Sequence, residues 1–264
     1  MVVEATLPVS YSLPLNNLLF PLNDLLGKTL KLKFMQQIHC VACKKPIKKS
    51  YQDGYCFPCT QTLAQSDICI IKPERCHFHL GTCREPDWGQ HHCMAPHIVY
   101  LANASGIKVG ITRKTNIPTR WIDQGAISAM PLYEVPNRRV SGLVEIALAQ
   151  HVPDKTNWRK MLSGQTEEID LISLSKNLLK EVASKFDEIY EKFGAQALKL
   201  IEKPVMVKLE YPVLEYPQKI TSLSFDKKET IEGTLLGIKG QYLIFDIGVL
   251  NIRKHSGYVV AVHA

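Results

Sequence analysis

Along this chain the spacing of apolar and polar residues changes several times, and each change predicts an element. Ile98, Val99, Tyr100 and Leu101 make a short apolar run of the kind a buried strand needs. Asn103-Ala104-Ser105-Gly106 is turn chemistry, and residues 107–111 alternate at period two, so the pair predicts a β-hairpin. Pro118 suits the first turn of a helix that carries Arg120 and Trp121 and stops at Gly125. Ser141 is a fair N-cap for a second helix, whose Leu143, Val144, Ile146, Ala147 and Leu148 surround Glu145. Behind Ser173, Leu174, Leu178, Val182, Phe186, Ile189 and Phe193 recur every three or four residues, the mark of an amphipathic helix. A shorter helical piece is expected between Gly194 and Pro204.

The two ends of the chain read as β structure. Residues 6–13 and 29–34 are strand-like but too few to form a core alone, so they are expected to pair with later strands. Residues 205–211, 220–225, 230–238, 242–247 and 258–262 supply those candidates. Gly233, Gly237 and Gly240 at close spacing suggest sharply coiled strands, as in a small barrel. The predicted class is α+β. The expected units are N-terminal strands over 1–37, a metal-binding lobe over 38–96, a core over 97–165, packing helices over 166–204 and a C-terminal β module over 205–264.

Composition narrows the partners. The chain has 264 residues, 45% of them apolar and 22% charged, which suits a globular protein. No apolar run approaches the ~20 residues of a membrane span, so no membrane role is expected. Glu4, Pro8 and Pro14 in the first residues do not read as a signal peptide, and the cytoplasm is the expected compartment. A net charge of +7 favours a polyanionic partner.

All eight cysteines fall within 38–96, with His39, His77, His79, His91 and His92 among them and His97 just beyond. Cys40-x-x-Cys43 and Cys56-x-x-Cys59, twelve residues apart, are two thiolate knuckles spaced as in a zinc ribbon. Four thiolates leave no open position for water, so this zinc is structural. Cys69, Cys76, Cys83 and Cys93 are spaced irregularly, with six, six and nine residues between them. They are the best candidates for a second structural zinc, with His79 or His77 as a substitute ligand. Redox chemistry is less favoured, because no thioredoxin-like βαβ pattern surrounds the CxxC pairs.

Tyr100 on one strand, Lys108-Val109-Gly110 on the next, Arg120 on a helix and Glu145 twenty-five residues later together resemble the GIY-YIG nuclease core. Asn157 stands where that family has a late Asn. The whole chain also resembles an uncharacterised bacterial family in which a cysteine-rich segment precedes such a core. The first resemblance implies an α/β core with metal-dependent endonuclease activity. Glu145 would hold Mg²⁺, Arg120 would clamp the scissile phosphate and Tyr100 would orient the attacking water. Lys108 takes the place of the family's second Tyr, and it fits either a phosphate contact or a core that binds without cutting.

Other basic residues point to the same partner. Lys44, Lys45, Lys48 and Lys49 lie near Tyr51 and Tyr55, a combination suited to phosphate contact with base stacking. Arg113, Lys114, Arg138, Arg139, Lys155, Arg159 and Lys160 bias the core towards anions, with Asn157 and Trp121 as further nucleic-acid contacts. Trp158, like Trp121, adjoins an arginine. Two functions stay open: a nuclease, or a module that binds DNA or RNA without cleaving it.

Overall fold

The computed structural model describes residues 1–152 and 156–264. The chain opens with an antiparallel meander of β1 (Val2–Glu4), β2 (Ser10–Leu15) and β3 (Leu18–Pro21). In β4 (Thr29–His39), Leu30, Leu32 and Phe34 are buried while Lys31 and Lys33 are not, the period of two that one buried face requires. The cysteine-rich segment contains β5 (Pro46–Ile47), α1 (Phe57–Thr62), α2 (Ile68–Ile71) and α3 (Pro86–His92), with one 3-10 turn between α1 and α2 and two between α2 and α3. Next come β6 (His97–Asn103), β7 (Ile107–Arg113), α4 (Thr119–Asp123), β8 (Ser128–Val135) and α5 (Arg138–Ala149). Helices α6 (Trp158–Leu162), α7 (Leu171–Glu181) and α8 (Ala183–Phe193) follow. The last strands are β9 (Lys199–Leu200), β10 (Val207–Lys208), β11 (Ser222–Leu223), β12 (Thr230–Lys239), β13 (Tyr242–Phe245), β14 (Gly248–Asn251) and β15 (Tyr258–His263).

Strand β6 divides the interior. It lies in an antiparallel sheet of order β10-β8-β6-β7, with β9 also on β8, and all its residues are buried. Val99 and Leu101 face one core with Val140, Val144 and Leu148 of α5 and Phe186 of α8. Ile98, Tyr100 and Ala102 face the other, which they share with Trp121, Ile122 and the apolar side chains of β4, β12 and β13. Alternation along one strand therefore builds two cores.

The second sheet has the order β11-β14-β13-β12-β4-β15, with β5 on β4. The first half of β12 pairs with β4 and the second half with β13, and the register shifts between Leu235 and Gly237. There Val213 crosses so close that a Cβ on Gly237 would lie 2.9 Å from its methyl groups. The bulge curls the sheet into a half-barrel. The architecture is mixed α+β, and none of the described helices is long and apolar enough to cross a membrane.

Several boundaries differ from expectation. Asn137, not Ser141, caps α5, its Oδ1 accepting from the Val140 N–H, and the Ser141 hydroxyl turns back to the Arg138 carbonyl. Asp170, not Ser173, caps α7 by accepting from Ile172 and Ser173. In both cases an earlier side-chain oxygen already satisfies the first free N–H groups. The expected single helix breaks at buried Val182 into α7 and α8. After Gly194, in the left-handed region at φ +86°, the chain does not return to helix, because Lys199 and Leu200 pair with Glu134 and Tyr133.

Candidate functional site

Tyr100 and Gly110 face each other directly across the β6–β7 ladder. A Cβ on Gly110 would lie 2.6 Å from the Tyr100 hydroxyl, so only glycine lets the ring cross β7. The ring is fully buried, with Trp121 edge-on at 5.9 Å. Its hydroxyl accepts hydrogen bonds from Gln124 Nε2 and from Arg120. Burial raises the Tyr100 pKa and the nearby Glu145 charge adds to the rise, while Arg120 and the Gln124 bond oppose it. Tyr100 is therefore a neutral phenol at physiological pH, with its own proton left to donate.

The ring borders a cleft of about 470 Å³. Lys108, Gly110 and Thr112 reach it from alternate positions of β7, Arg113 from the end of that strand, Arg120 from α4, and Arg138 and Glu145 from α5. The opposite wall is Ile70, Ile71, Trp88 and His92 of the cysteine-rich segment, with Trp88 and His92 stacked at 4.2 Å. The fold thus brings Tyr100, Lys108, Arg120 and Glu145 to one place. Arg138 ties the walls together: its guanidinium donates to the carbonyls of Ile70 and Cys69, and its backbone N–H donates to Cys93 at 2.7 Å.

Arg253, which the sequence marks only as part of a basic Arg253-Lys254-His255 turn in the C-terminal β module, also lines the cleft. It follows β14, more than a hundred residues from the hairpin, and pairs with Asp53 at 3.2 Å. Its neighbourhood is joined to α4 by Gln241, whose amide donates to Asp123. Burial raises the Asp123 pKa, opposed by that bond and by the charges of Arg120 and Arg253. Lys108, Arg113, Arg120, Arg138 and Arg253 therefore share the lining with one carboxylate, Glu145. Asp53 offsets part of the Arg253 charge, and the Arg138 guanidinium is engaged by backbone carbonyls, yet positive side chains still outnumber carboxylates along this lining.

Other expected contacts lie elsewhere. Trp121 is only 2% exposed and packs in the core, so no ring face is open to a base. Asn157 is the N-cap of α6, accepting from Arg159 and Lys160, and does not line the cleft. Lys114 is neutralised by Glu134 at 2.8 Å. Arg139 donates to His79 Nε2 and lies over Phe193. Arg159 stacks on Trp158, which stacks in turn on Tyr242. Lys44, Lys45, Lys48 and Lys49 are exposed around the first cysteine cluster, away from the cleft, with Lys49 over Tyr51. Lys155 lies outside the described residues.

The first cysteine cluster is built where β4 ends. Cys40 begins a turn closed by the Lys44 N–H on its carbonyl, and Lys44 takes φ +61°. Gly54, at φ +129°, passes so close to Val41 that a Cβ would lie 2.5 Å from its methyl. The sulfurs of Cys40, Cys43, Cys56 and Cys59 all lie within 4.8 Å of one another, and Cys43 and Cys56 are 3.8 Å apart. Zn–S bonds of about 2.3 Å in a tetrahedron place sulfurs about 3.8 Å apart, so this donor set fits zinc. Burial opposes ionisation of Cys40, yet the N–H groups of Cys43, Cys56 and Ala42 hold its thiol down at about 6. These four cysteines could hold a structural zinc.

Cys69, Cys76, Cys83 and Cys93 also meet, around a small void with Asp67 and His77. His79, the expected substitute ligand, does not line it, because its ring nitrogen is engaged by Arg139.

A model for a family described as protein of unknown function (DUF2797) matches residues 27–260, a span that takes in both cysteine clusters and the cleft. No curated protein and no solved structure matches the chain.

Proposed function

We propose that this chain, which belongs to the DUF2797 family, binds the phosphate backbone of nucleic acid in the cleft beside Tyr100. One observation carries the reading: Lys108, Arg113, Arg120, Arg138 and Arg253 converge on one cleft that holds a single carboxylate. Guanidinium forks match phosphate oxygens two at a time, and a polyanion would collect several such contacts. Trp88 and His92 on the facing wall offer a flat surface to a base. The charge of +7 supports the same partner.

Cleavage is a second reading, favoured by the presence of Glu145 in the same cleft as Tyr100 and Arg120, as the GIY-YIG resemblance implies. Mg²⁺ takes one or two carboxylates and completes its octahedron with water and substrate phosphate. Glu145 is the one carboxylate lining the cleft, so the fit depends on a phosphate already bound. Bound Mg²⁺ would supply an activated water and neutralise phosphate charge. Arg120 would bind the phosphate, and the neutral Tyr100 phenol would orient a water by hydrogen bonding. Zinc at Cys40, Cys43, Cys56 and Cys59 would be structural, holding the lobe that carries Asp53 and, through it, Arg253.

The test is a panel of labelled DNA and RNA structures, with and without Mg²⁺ or Mn²⁺, against the parent and Glu145→Gln. Binding by both proteins without cleavage supports the recognition module. Metal-dependent cleavage lost in the variant supports the nuclease. No binding to any structure at low salt overturns the proposal.

A further inference from the structure

We propose a second zinc site, formed by Cys69, Cys76, Cys83 and Cys93. The four come from separate short pieces: α2, the turn after it, the loop before α3 and the residue that ends α3. All four line one void of about 10 Å³. That is roughly the room one water or one ion needs.

The chemistry of the wall selects a metal. A buried water needs two to four good hydrogen-bonding partners, and thiols are weak ones. Four sulfurs around an atom-sized space suit a soft cation instead, and zinc is the usual one. The harder donors nearby are partly committed, although His77 Nε2 faces Asp67 at 3.7 Å and both lie within 4.8 Å of the Cys69 sulfur. Asp67 is held by Arg84 at 2.7 Å and caps the Cys69 N–H, and His77 Nδ1 is bonded to the Thr82 hydroxyl. The sulfurs have weaker ties, Cys76 to Cys93 and Cys83 to the Glu85 carbonyl at 3.5 Å. Among the described residues the donors here within 4.8 Å of one another are Asp67, Cys69 and His77, so a four-sulfur site requires Cys76, Cys83 and Cys93 to close in on Cys69 when zinc binds.

The segment also needs a staple. Its own buried cluster consists of Cys69, Cys76 and Cys93, with Phe78 and Trp88 against them. Helices of four to seven residues with so little apolar core do not hold a shape unaided, and metal binding supplies the missing folding energy. Gly89 lets Cys83 approach α3, since a Cβ there would lie 3.0 Å from its sulfur. The carbonyls of Cys69 and Cys93 hold Arg138, so this zinc would fix one wall of the cleft. The site does not depend on the nucleic-acid reading.

Zinc per chain, measured by elemental analysis and native mass spectrometry of the full-length protein, tests the assignment. Two ions are expected for the parent, and one each for the pairs Cys40→Ser/Cys43→Ser and Cys76→Ser/Cys93→Ser. His77→Ala should keep both. Should the double variants fail to fold, the parent still decides. Alkylation should spare all eight cysteines until a chelator is added, when Cys69, Cys76, Cys83 and Cys93 become modified with the rest. A single zinc, with those four alkylated equally fast before and after chelation, would overturn the proposal, as would loss of the second ion in His77→Ala.

Discussion

Gly110→Ala probes the contact on which the cleft geometry rests. The added methyl would sit 2.6 Å from the Tyr100 hydroxyl oxygen and 2.7 Å from the carbon bearing it, where ordinary contacts begin at 3.4 Å. Relief needs a shift of almost an ångström by a fully buried ring that Trp121 flanks and Gln124 anchors. Overpacking of this kind costs about 1–3 kcal/mol. At roughly 2–4 °C per kcal/mol for a chain of this size, calorimetry should show Tm lowered by several degrees. A cycle with Tyr100→Ala isolates the cause. Once the ring is gone, alanine at 110 should cost little, giving a coupling of about 0.5–3 kcal/mol. An equal cost in both backgrounds would refute the argument.

Three further outcomes are expected. His97 is fully buried and its pKa is pushed down to about 4, chiefly by burial, while the Ala95 carbonyl opposes the shift. Because the unfolded residue titrates near its ordinary 6.5, this stability is complete above that pH and is lost as pH falls towards 4. The loss amounts to about 3 kcal/mol, and urea midpoints in His97→Gln should show a shallower acid limb. Trp121→Ala should cost about 3–5 kcal/mol, while Trp121→Phe, still folded, should bind nucleic acid as the parent does in fluorescence anisotropy. Asn137→Ala removes the α5 cap and should lower stability by about 1 kcal/mol in the same urea titration.

Local chemistry made the central elements readable. The hairpin expected over 98–101 and 107–111 is β6 and β7, and the helix expected at Pro118 is α4, ending at Gly125 with φ +69°. Period-two alternation, turn residues and a left-handed glycine act within a few neighbours, so they show in any window of sequence. The CxxC pairs were legible for the same reason. Caps were misread because Ser141 and Ser173 resemble caps by type, while Asn137 and Asp170 stand earlier and compete for the same N–H groups. Arg253 is legible as part of a basic turn, but its place in this cleft is not, since tertiary packing alone brings the turn after β14 to the hairpin. Trp121 and Asn157 show the converse. Their residue types suit nucleic acid, but burial and a capping bond commit them elsewhere.

The most direct test of the cleft is the salt dependence of nucleic-acid affinity for the parent, Arg120→Ala/Arg253→Ala and Arg159→Ala. Each phosphate contact contributes about 0.9 to the slope of log affinity against log salt on duplex DNA, and about 0.7 on a single strand. If the cleft holds the backbone, the double variant should bind more weakly with a slope lower by about 1.4–1.8, and Arg159→Ala should match the parent. A slope unchanged in the double variant, or lowered equally by Arg159→Ala, would contradict the account.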